Sequence, residues 1–396
     1  MNTATAAAEF SRQVHEELLG NILPFWLALR DGRGGFIGRV DGNGVPHPEA
    51  DRGCVLYSRL VWSFSAAYKA LGDSHLLEAA RDAENSLESN LYDQEYGGII
   101  WSARHDGTPS DTKKQLYAQA FAVYGLSEFY SVTHEQGSLE TAKAIFEITE
   151  SKFHDKENGG YIEALGRDFS PLSDMSLSAH DINADKTMNS HLHLLEAWAT
   201  LYKVWPSEKV AESIRELVGV ICDKILREDG HLGLYFSTDW KSLSNAISFG
   251  HDIETSWLLA DCAAVLGDKQ LMLKVKEAAI RLAKAGNEGL LSDGSMAYER
   301  HDDGTWDRSR QWWVQAEAVV GNLHAWKHLG MEEGLGNALR CWEYISTHLV
   351  DREGGEWFWG EDSEGRTDRL SDKAGPWKCP YHNTRMCLET SSILSV

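Results

Sequence analysis

The segment Asp93-Gln94-Glu95-Tyr96-Gly97-Gly98 places a carboxylate ahead of a glycine pair, and versions of it recur along the chain. Because aspartate favours tight turns and glycine accepts a positive φ, each copy predicts a hairpin-like loop. The spacings are 63 residues from Gly35 to Gly98, 62 from Gly98 to Gly160 and 61 from Gly294 to Gly355. A repeat of this length organises the whole chain, and its third unit is longer by an insertion at residues 165–187.

The segments between these turns have helical patterns of two kinds. One kind is apolar around most of its circumference, which predicts buried helices. These segments are 55–71, 117–130, 191–202, 252–266, 311–328 and the stretch from Tyr381 onward. The other kind has an apolar stripe at i, i+3, i+4 spacing and a polar opposite face, which predicts helices packed outside the first set. These segments are 6–30, 75–91, 138–153, 208–226, 269–285 and 333–349.

Six buried helices alternating with six striped ones predict an all-α (α/α)6 barrel. In this fold an inner ring of six helices lies inside six outer ones, with short hairpin-like loops between them. A TIM barrel is excluded because it needs a strand in every unit and a shorter period. An open α-solenoid remains an alternative, because the sequence alone does not prove that the ring closes. We expect residues 1–396 to form one domain, since the repeat runs along the whole chain.

Composition restricts the partners. The chain has 60 acidic and 38 basic residues, a net charge of −22, which disfavours nucleic acid and membrane surfaces. Neither a signal-peptide pattern nor an apolar run of the roughly 18 residues that span a bilayer is present. Six scattered cysteines without a CxxC pair are typical of reduced thiols in a cytoplasmic protein. We expect the protein to be a monomer or a homodimer. The 15 tryptophans fit either a large helical core or a site that stacks on sugar rings.

Polar side chains collect in the first turn of each predicted inner helix. Burying them costs roughly several kcal/mol unless they are paired or face a wet cavity. In a closed barrel all six helix ends point at one axial cavity, which is therefore the candidate active site. The polar residues are Tyr57, Arg59, Tyr117, Gln119, Asn189, His191, His193, Glu196, His251, Asp252, Glu254, Gln315, Glu317, His382, Asn383 and Arg385.

Several interpretations of these residues stay open. His193 and Glu196, like His251 and Glu254, stand three residues apart and share a helix face, a spacing also used by metal ligands in helix bundles. Glu254 and Glu317 could instead be the paired acids of a glycoside hydrolase, although each has a neighbour that favours an orienting role. His191 fits a satisfied core histidine. No phosphate-binding glycine motif occurs, so we expect no nucleotide and no cofactor.

These residues lie in segments that resemble the N-acylglucosamine 2-epimerase superfamily, and within it the cellobiose 2-epimerases. The strongest match is Gly375-Pro376-Trp377-Lys378-Cys379-Pro380-Tyr381-His382-Asn383. The other matching segments are 58–62, 117–126, 184–189, 192–197, 250–254, 312–318 and 354–357. They follow one another in order along nearly the whole chain, so the resemblance is specific.

The resemblance implies an (α/α)6 barrel and reversible epimerisation at C2 of a reducing-end sugar, through ring opening and a cis-enediolate, without a cofactor or metal. By position, His251 and His382 match the acid/base pair, and His193 and Arg59 match groups that hold O1 and O2 of the open chain. Trp313 and Trp377 match aromatics that line the sugar subsites. We expect Tyr117, Asn189, Glu254 and Glu317 to contribute to substrate binding. Tyr57 and Thr384 depart from the pattern and leave the substrate preference open.

The chemistry suits these residue types. Inversion at one carbon needs a base on one face and an acid on the other, both near neutral pKa, which is the range of histidine. An enediolate needs positive charge at its oxygens, which Arg59 supplies. We therefore expect a neutral β-1,4-linked disaccharide such as cellobiose as substrate, interconverted with glucosyl-mannose. A mannose 2-epimerase, a mannose–fructose isomerase, an N-acylglucosamine 2-epimerase and a non-catalytic carbohydrate- or protein-binding module remain alternatives.

Overall fold

The structure is a computed structural model that describes residues 3–32, 34–178 and 181–395. Arg33 of the first turn and two residues of the insertion, Ala179 and His180, lie outside the described residues. The helices in chain order are α1 (Thr3–Glu17), α2 (Leu23–Ala28), α3 (Cys54–Leu71), α4 (Ser74–Asn90), α5 (Leu116–Thr133), α6 (Gln136–Lys152), α7 (Met188–Val204), α8 (Glu208–Val220), α9 (Phe249–Ala264), α10 (Lys269–Asn287), α11 (Trp312–His324), α12 (Gly334–Tyr344) and α13 (Tyr381–Leu394). Single π-helical turns interrupt or extend four helices, at Leu18–Ile22, Ile221–Ile225, Ala325–Leu329 and Ile345–Leu349.

The helices confirm the predicted two-layer arrangement. Helices α3, α5, α7, α9, α11 and α13 each pack against the next, and α13 packs against α3, so the inner ring is closed. Each outer helix (α4, α6, α8, α10 and α12) packs against the inner helix that precedes it, and α1 covers α13. The fold is therefore an (α/α)6 barrel. Each predicted helix matches an observed one to within a few residues, with the π turns included.

Short strands connect neighbouring repeats. They are β1 (Arg30–Asp31), β2 (Gly35–Phe36), β3 (Arg52–Gly53), β4 (Ser102–Ala103), β5 (Pro109–Asp111), β6 (Lys114–Gln115), β7 (Ala164–Leu165), β8 (Lys186–Thr187), β9 (Tyr235–Phe236), β10 (Ile247–Ser248), β11 (Glu299–Arg300), β12 (Trp306–Asp307), β13 (Arg310–Gln311) and β14 (Gly360–Glu361). The strand that leads into each of the first five inner helices pairs antiparallel with a strand of the next repeat: β3 with β4, β6 with β7, β8 with β9, β10 with β11 and β13 with β14. A bridge between Val40 and Ala374 makes the equivalent connection across the ring closure.

One polar residue in the first turn of each inner helix binds the hairpin that precedes it. Gln119 accepts from the backbone N–H of Ile99 and donates to its carbonyl, both at 2.8 Å, and Gln315 binds Met296 in the same way. The complete set of such tethers is Tyr57, Gln119, His191, Asp252, Gln315 and Asn383. The prediction that first-turn polar residues face the cavity is therefore wrong for Tyr57, Gln119, Asp252, Gln315 and Asn383, which satisfy buried backbone and carboxylate groups. The interpretation of His191 as a satisfied core histidine is confirmed.

The residue two positions after each tether is turned toward the barrel axis. These residues are Arg59, Phe121, His193, Glu254, Glu317 and Arg385, all of them buried. A step of two residues turns a helix by about 200°, so tether and axial residue point in nearly opposite directions. The start of each inner helix thus has one residue that binds the preceding hairpin and, two positions later, one residue that faces the barrel axis.

The glycine turns differ from the predicted alignment in the sixth repeat. Gly97 and Gly98 have φ values of +78° and +73°, and Gly159 and Gly160 have +76° and +73°. In the sixth turn the corresponding left-handed pair is Gly355 at +74° and Glu356 at +62°. Pairing Gly354-Gly355 with the earlier glycine pairs is thus wrong by one residue, and a glutamate occupies a backbone conformation that favours glycine.

Candidate active site

The first turns of the inner helices surround a cavity of about 810 Å³, within the range of small-molecule sites. Nine of the ten predicted site residues line it: Arg59, Tyr117, Asn189, His193, His251, Glu254, Trp313, Trp377 and His382. The tenth, Glu317, is fully buried behind the cavity wall. The ring of six helices therefore brings side chains from distant parts of the sequence to one place.

His382 is held from behind by Glu317. Its Nδ1 lies 2.7 Å from Oε1 of Glu317, and both side chains are buried. Trp257 donates its indole N–H to the other carboxylate oxygen at 3.1 Å. We expected Glu317 to bind substrate, but in the structure its carboxylate contacts the imidazole and orients it.

His193 has a similar carboxylate partner. Its Nδ1 lies 3.0 Å from Oε2 of Glu196, one turn further along α7, which confirms the pairing expected from their spacing. The hydroxyl of Tyr381 is 2.8 Å from the same carboxylate. Glu196 itself stays outside the cavity lining, so its role is to hold the ring of His193.

His251 is held differently. Its Nδ1 lies 2.8 Å from Oγ of Ser248, at the start of α9. Glu254, three residues further on, binds Arg385 at 2.6 Å instead. The spacing of His251 and Glu254 therefore does not produce the expected pair. Because a hydroxyl can donate or accept, Ser248 fits either tautomer of His251.

Burial governs the protonation of these histidines. Burial and, to a smaller extent, the neighbouring His193 together lower the pKa of His251 to about 3. Burial also lowers the pKa of His193, against the opposing effect of Glu196. The pKa of His382 is held well below its usual value by burial and by the positive charge of Arg59. All three imidazoles are therefore neutral near pH 7, the form that accepts a proton.

Arg59 places a positive charge at the cavity wall. Nη2 donates to the hydroxyl of Tyr117 at 2.7 Å, and the guanidinium carbon lies 4.1 Å from the ring centre of Phe121. Within the described residues Nε of Arg59 and Oδ1 of Asn189 are buried and have no hydrogen-bond partner. Buried polar atoms are nearly always paired, so these two atoms of cavity-lining residues are exceptions.

Aromatic rings form two walls of the cavity. Trp313 packs against both His251 and His382, with ring centres 4.7 and 5.8 Å apart. Trp377 packs against Tyr117 at 6.0 Å and against Trp101 at 5.7 Å. Indole faces pack on the apolar faces of sugar rings while hydroxyls bind polar groups around them. Both tryptophans line the cavity, Trp313 beside two of its histidines and Trp377 beside Tyr117.

Sequence reasoning missed part of the cavity wall. The insertion supplies eight lining residues, Met175, Ser176, Leu177, Ser178, Asp181, Ile182, Ala184 and Thr187, and later loops add Leu234, Tyr235, Tyr298, Glu299 and Trp359. The hydroxyl of Tyr235 donates to Asp181 at 2.7 Å. The insertion was visible in the sequence as an interruption of the repeat, but nothing in its pattern indicated which side of the barrel it covers.

Three side chains near the cavity carry the kinds of donor atom that bind metal ions. Donor atoms of Glu254, Glu317 and His382 lie within 4.8 Å of one another. The guanidinium of Arg385 contacts both carboxylates at 2.6 Å, so positive charge is already supplied to them by the protein. This neighbourhood suits a fixed arginine better than a metal ion.

The fold and cavity define a barrel protein with a central, tryptophan-lined polar site. Residues 35–385 match the family model for N-acylglucosamine 2-epimerase (GlcNAc 2-epimerase). The chain is 44% identical to a cellobiose 2-epimerase of Bacteroides fragilis over 96% of its own length and 97% of the relative. It superposes on the structure of cellobiose 2-epimerase from Bacillus thermoamylovorans with a TM-score of 0.92 and 38% identity, covering 97% of this chain and 99% of the other.

The chain therefore belongs to the N-acylglucosamine 2-epimerase family. It is an isomerase-class enzyme, a carbohydrate 2-epimerase similar to the cellobiose 2-epimerases. A D-mannose isomerase structure has a TM-score of 0.84 at 20% identity, which shows the shared fold. No helix within the described residues is long and apolar enough to cross a membrane.

Proposed function

We propose that this protein, acting as one catalytic domain, epimerises C2 of the reducing-end sugar of a β-1,4-linked disaccharide, converting cellobiose to glucosyl-mannose and back. The observation that carries the proposal is the convergence of His251, His382 and Arg59 on one cavity beside Trp313. The relatives named cellobiose 2-epimerase support the choice of substrate.

In the proposed reaction one imidazole removes the C2 proton of the open-chain aldose, and the other, after protonation from solvent, delivers a proton to the opposite face. A neutral imidazole is the form needed for the first step, and burial favours it in His251 and His382. The enediolate carries negative charge, which raises the proton affinity of a nearby imidazole. In the reverse direction the two histidines exchange roles.

Arg59 is proposed to donate to the enediolate oxygens, and His193 to accept, through its unprotonated Nε2, from the hydroxyl group that remains at O1 or O2. Arg59 is a fixed cation at the cavity wall, and His193 lies between Tyr117 and Phe121, with ring centres 5.3 and 4.8 Å away. Donors fixed in advance stabilise developing negative charge most effectively where water is excluded. Asn189, Tyr117 and Glu254 add polar groups around the same ring, and Trp377 supplies a second stacking surface.

The test is NMR of cellobiose incubated with the purified protein in D2O. We expect deuterium at C2 and a disaccharide with a mannose reducing end. His251→Asn and His382→Asn should each lower the rate by about 10²–10⁴-fold, while Tyr57→Phe, at a tether outside the cavity, serves as the matched control. Conversion of mannose alone would move the assignment to a monosaccharide enzyme. A ketose product would identify an aldose–ketose isomerase, and free glucose would identify a hydrolase. If no sugar changed, the protein would be a binding module.

A further inference from the structure

Arg385 on α13 lies behind the cavity and is almost fully buried. It contacts carboxylates from three other inner helices, each at 2.6 Å: Nη1 binds Glu196 on α7, and Nη2 binds Glu254 on α9 and Glu317 on α11. A guanidinium suits this place because it is planar, stays charged and offers five donors in a fixed geometry.

Two of these carboxylates also hold imidazoles of the cavity. Glu317 accepts N–H groups from Arg385 and from Trp257 at 3.1 Å, and its Oε1 lies 2.7 Å from Nδ1 of His382. A carboxyl that accepts from several donors is ionised, and an ionised carboxylate can only accept. His382 therefore carries its proton on Nδ1, which leaves the lone pair of Nε2 for the substrate.

Glu196 acts on His193 in the same way. It accepts from Arg385 at 2.6 Å, from the Tyr381 hydroxyl at 2.8 Å and from Nδ1 of His193 at 3.0 Å. Burial alone would raise the pKa of Glu196, but the charge of Arg385 and the bond from His193 lower it to about 2. One guanidinium thus contacts both carboxylates that orient cavity histidines.

Charge balance explains the third contact. Three carboxylates around one cation cannot all ionise cheaply, because like charges disfavour one another. Burial and the charge of Glu317 raise the pKa of Glu254 to about 8, so near neutral pH Glu254 holds the proton. The neutral carboxyl is the one that lines the cavity, and the two ionised ones are those behind His193 and His382.

We propose that Arg385 is a positioning residue that keeps Glu196 and Glu317 ionised and thereby fixes His193 and His382 in the tautomer whose Nε2 is unprotonated toward the sugar. This inference rests on the proposed epimerase function. Arg385 also lies over the rings of Tyr381 and Trp257, with its guanidinium carbon 4.2 and 4.8 Å from their centres. If these packing contacts were the whole role of Arg385, its substitution would lower the stability of the protein but leave the turnover of the folded fraction unchanged.

The test compares Arg385→Lys with Arg52→Lys in the full chain. Arg52 is also a buried arginine in an ion pair, with Asp31, but stays outside the cavity lining. Lysine keeps the charge at position 385 and loses the fork that spans three carboxylates. We expect kcat for cellobiose to fall about 10–100-fold, the range seen when groups that orient active-site ligands are removed. KM should stay within about threefold, because Arg385 does not line the cavity, and Arg52→Lys should keep the wild-type kcat.

A folded Arg385→Lys protein with wild-type kcat, or with a raised KM alone, overturns the inference. If that variant does not fold, ¹⁵N-histidine NMR of the wild type decides the matter. The signal lost in His382→Asn must belong to an Nδ1–H imidazole, and an Nε2–H signal refutes the assignment. Should the wild type epimerise no sugar, the proposed function fails, whereas the tautomer measurement still tests the network.

Discussion

Glu356 and Lys378 form an ion pair in which neither side chain has any exposed surface. The carboxylate of Glu356 also accepts from the side chain of Asn383 and, at 3.3 Å, from the indole N–H of Trp26. Trp26 belongs to the first outer layer and Asn383 to the last inner helix, so this pair lies where the two ends of the chain meet. It also explains why the sixth turn has a glutamate in a left-handed conformation: the side chain is needed to join the ends of the ring.

Breaking the Glu356–Lys378 pair should lower the free energy of unfolding substantially. Glu356→Gln or Lys378→Met each leaves a buried charge without its partner, which typically destabilises a protein by about 3–5 kcal/mol. Urea unfolding measures the change in free energy. The double variant should recover part of the loss, because it leaves no lone charge. The matched control is Lys209→Met, whose partner Glu147 is half exposed and whose loss should cost below about 1 kcal/mol. Equal effects at both lysines would show that the Glu356–Lys378 pair does not hold the two ends of the chain together.

Substitution of Gly160, the second glycine of the third turn, should destabilise the protein more than substitution of Gly72, which has the same backbone conformation. Gly160 and Gly72 both have φ of +73°. A Cβ at position 160 would approach the ring of Trp240 to 2.5 Å and Nε2 of His191 to 2.8 Å, whereas one at position 72 meets nothing within 4 Å.

Gly72→Ala therefore tests the backbone cost alone, about 1–2 kcal/mol. Gly160→Ala adds a steric clash with the tether His191, and overpacking typically costs a further 1–3 kcal/mol or so. Thermal unfolding of the two variants should show the larger fall in Tm for Gly160→Ala. Equal shifts would mean that the surroundings of Gly160 adjust freely.

Helix content and layering were predictable because they depend on apolar periodicity, which the sequence displays directly. Seven of the nine predicted residues that line the cavity were predictable from the repeat, which places them at equivalent helix starts, whereas Trp313 and Trp377 were identified from the family resemblance. Periodicity could not separate Gln119 from Tyr117, although the spacing of His193 and Glu196 favoured His193 over His191 as the site residue. The distinction depends on whether a side chain faces the preceding hairpin or the axis, and a step of two residues along the helix, about 200° of rotation, decides it.

Side-chain contacts between different repeats could not be predicted from the sequence pattern. The expected partners of Glu254 and Glu317 were their sequence neighbours His251 and Gln315. Gln315 instead satisfies the backbone of Met296, and both glutamates bind Arg385, which is distant in sequence from both. Such contacts arise only when the ring closes, so no local spacing announces them.

His191 should make the protein sensitive to acid. Burial lowers its pKa to about 4, while an unfolded histidine has a pKa near 6.5. Between these values the unfolded chain binds a proton that the native protein does not, so stability is full above about pH 6.5 and falls as the pH drops toward 4. The total loss from this group is about 3 kcal/mol.

The measurement is urea unfolding of wild type and His191→Gln between pH 4 and pH 8. The glutamine oxygen can still accept the N–H of Tyr161 but does not titrate. The variant should have a shallower slope of unfolding free energy against pH, by up to about 1.4 kcal/mol per unit. At pH 8 the two slopes should agree, because histidine is then neutral in both states. Parallel curves throughout would place the acid sensitivity elsewhere.

The two histidines of the proposed proton transfer should depend unequally on their partners. His382 has an ionised carboxylate, Glu317, at Nδ1, whereas His251 has the hydroxyl of Ser248. Glu317→Gln removes the charge that stabilises an imidazolium at His382 and disturbs the bond from Arg385. Ser248→Ala removes a neutral hydrogen bond, typically worth about 0.5–1.5 kcal/mol, so its effect on kcat should stay below about tenfold.

We therefore expect Glu317→Gln to lower kcat for cellobiose by at least tenfold more than Ser248→Ala, with little change in KM for either, since neither residue lines the cavity. Deuterium exchange at C2 in D2O, followed separately from product formation, tells whether proton removal or delivery is slowed. Loss of epimer formation with retained exchange in Glu317→Gln would mean that His251 removes and returns the proton on one face while transfer through His382 to the other face fails. If Ser248→Ala proves the more damaging change, the hydroxyl and not the carboxylate sets the reactivity of the pair, because the histidine it holds would then be the one whose orientation limits turnover.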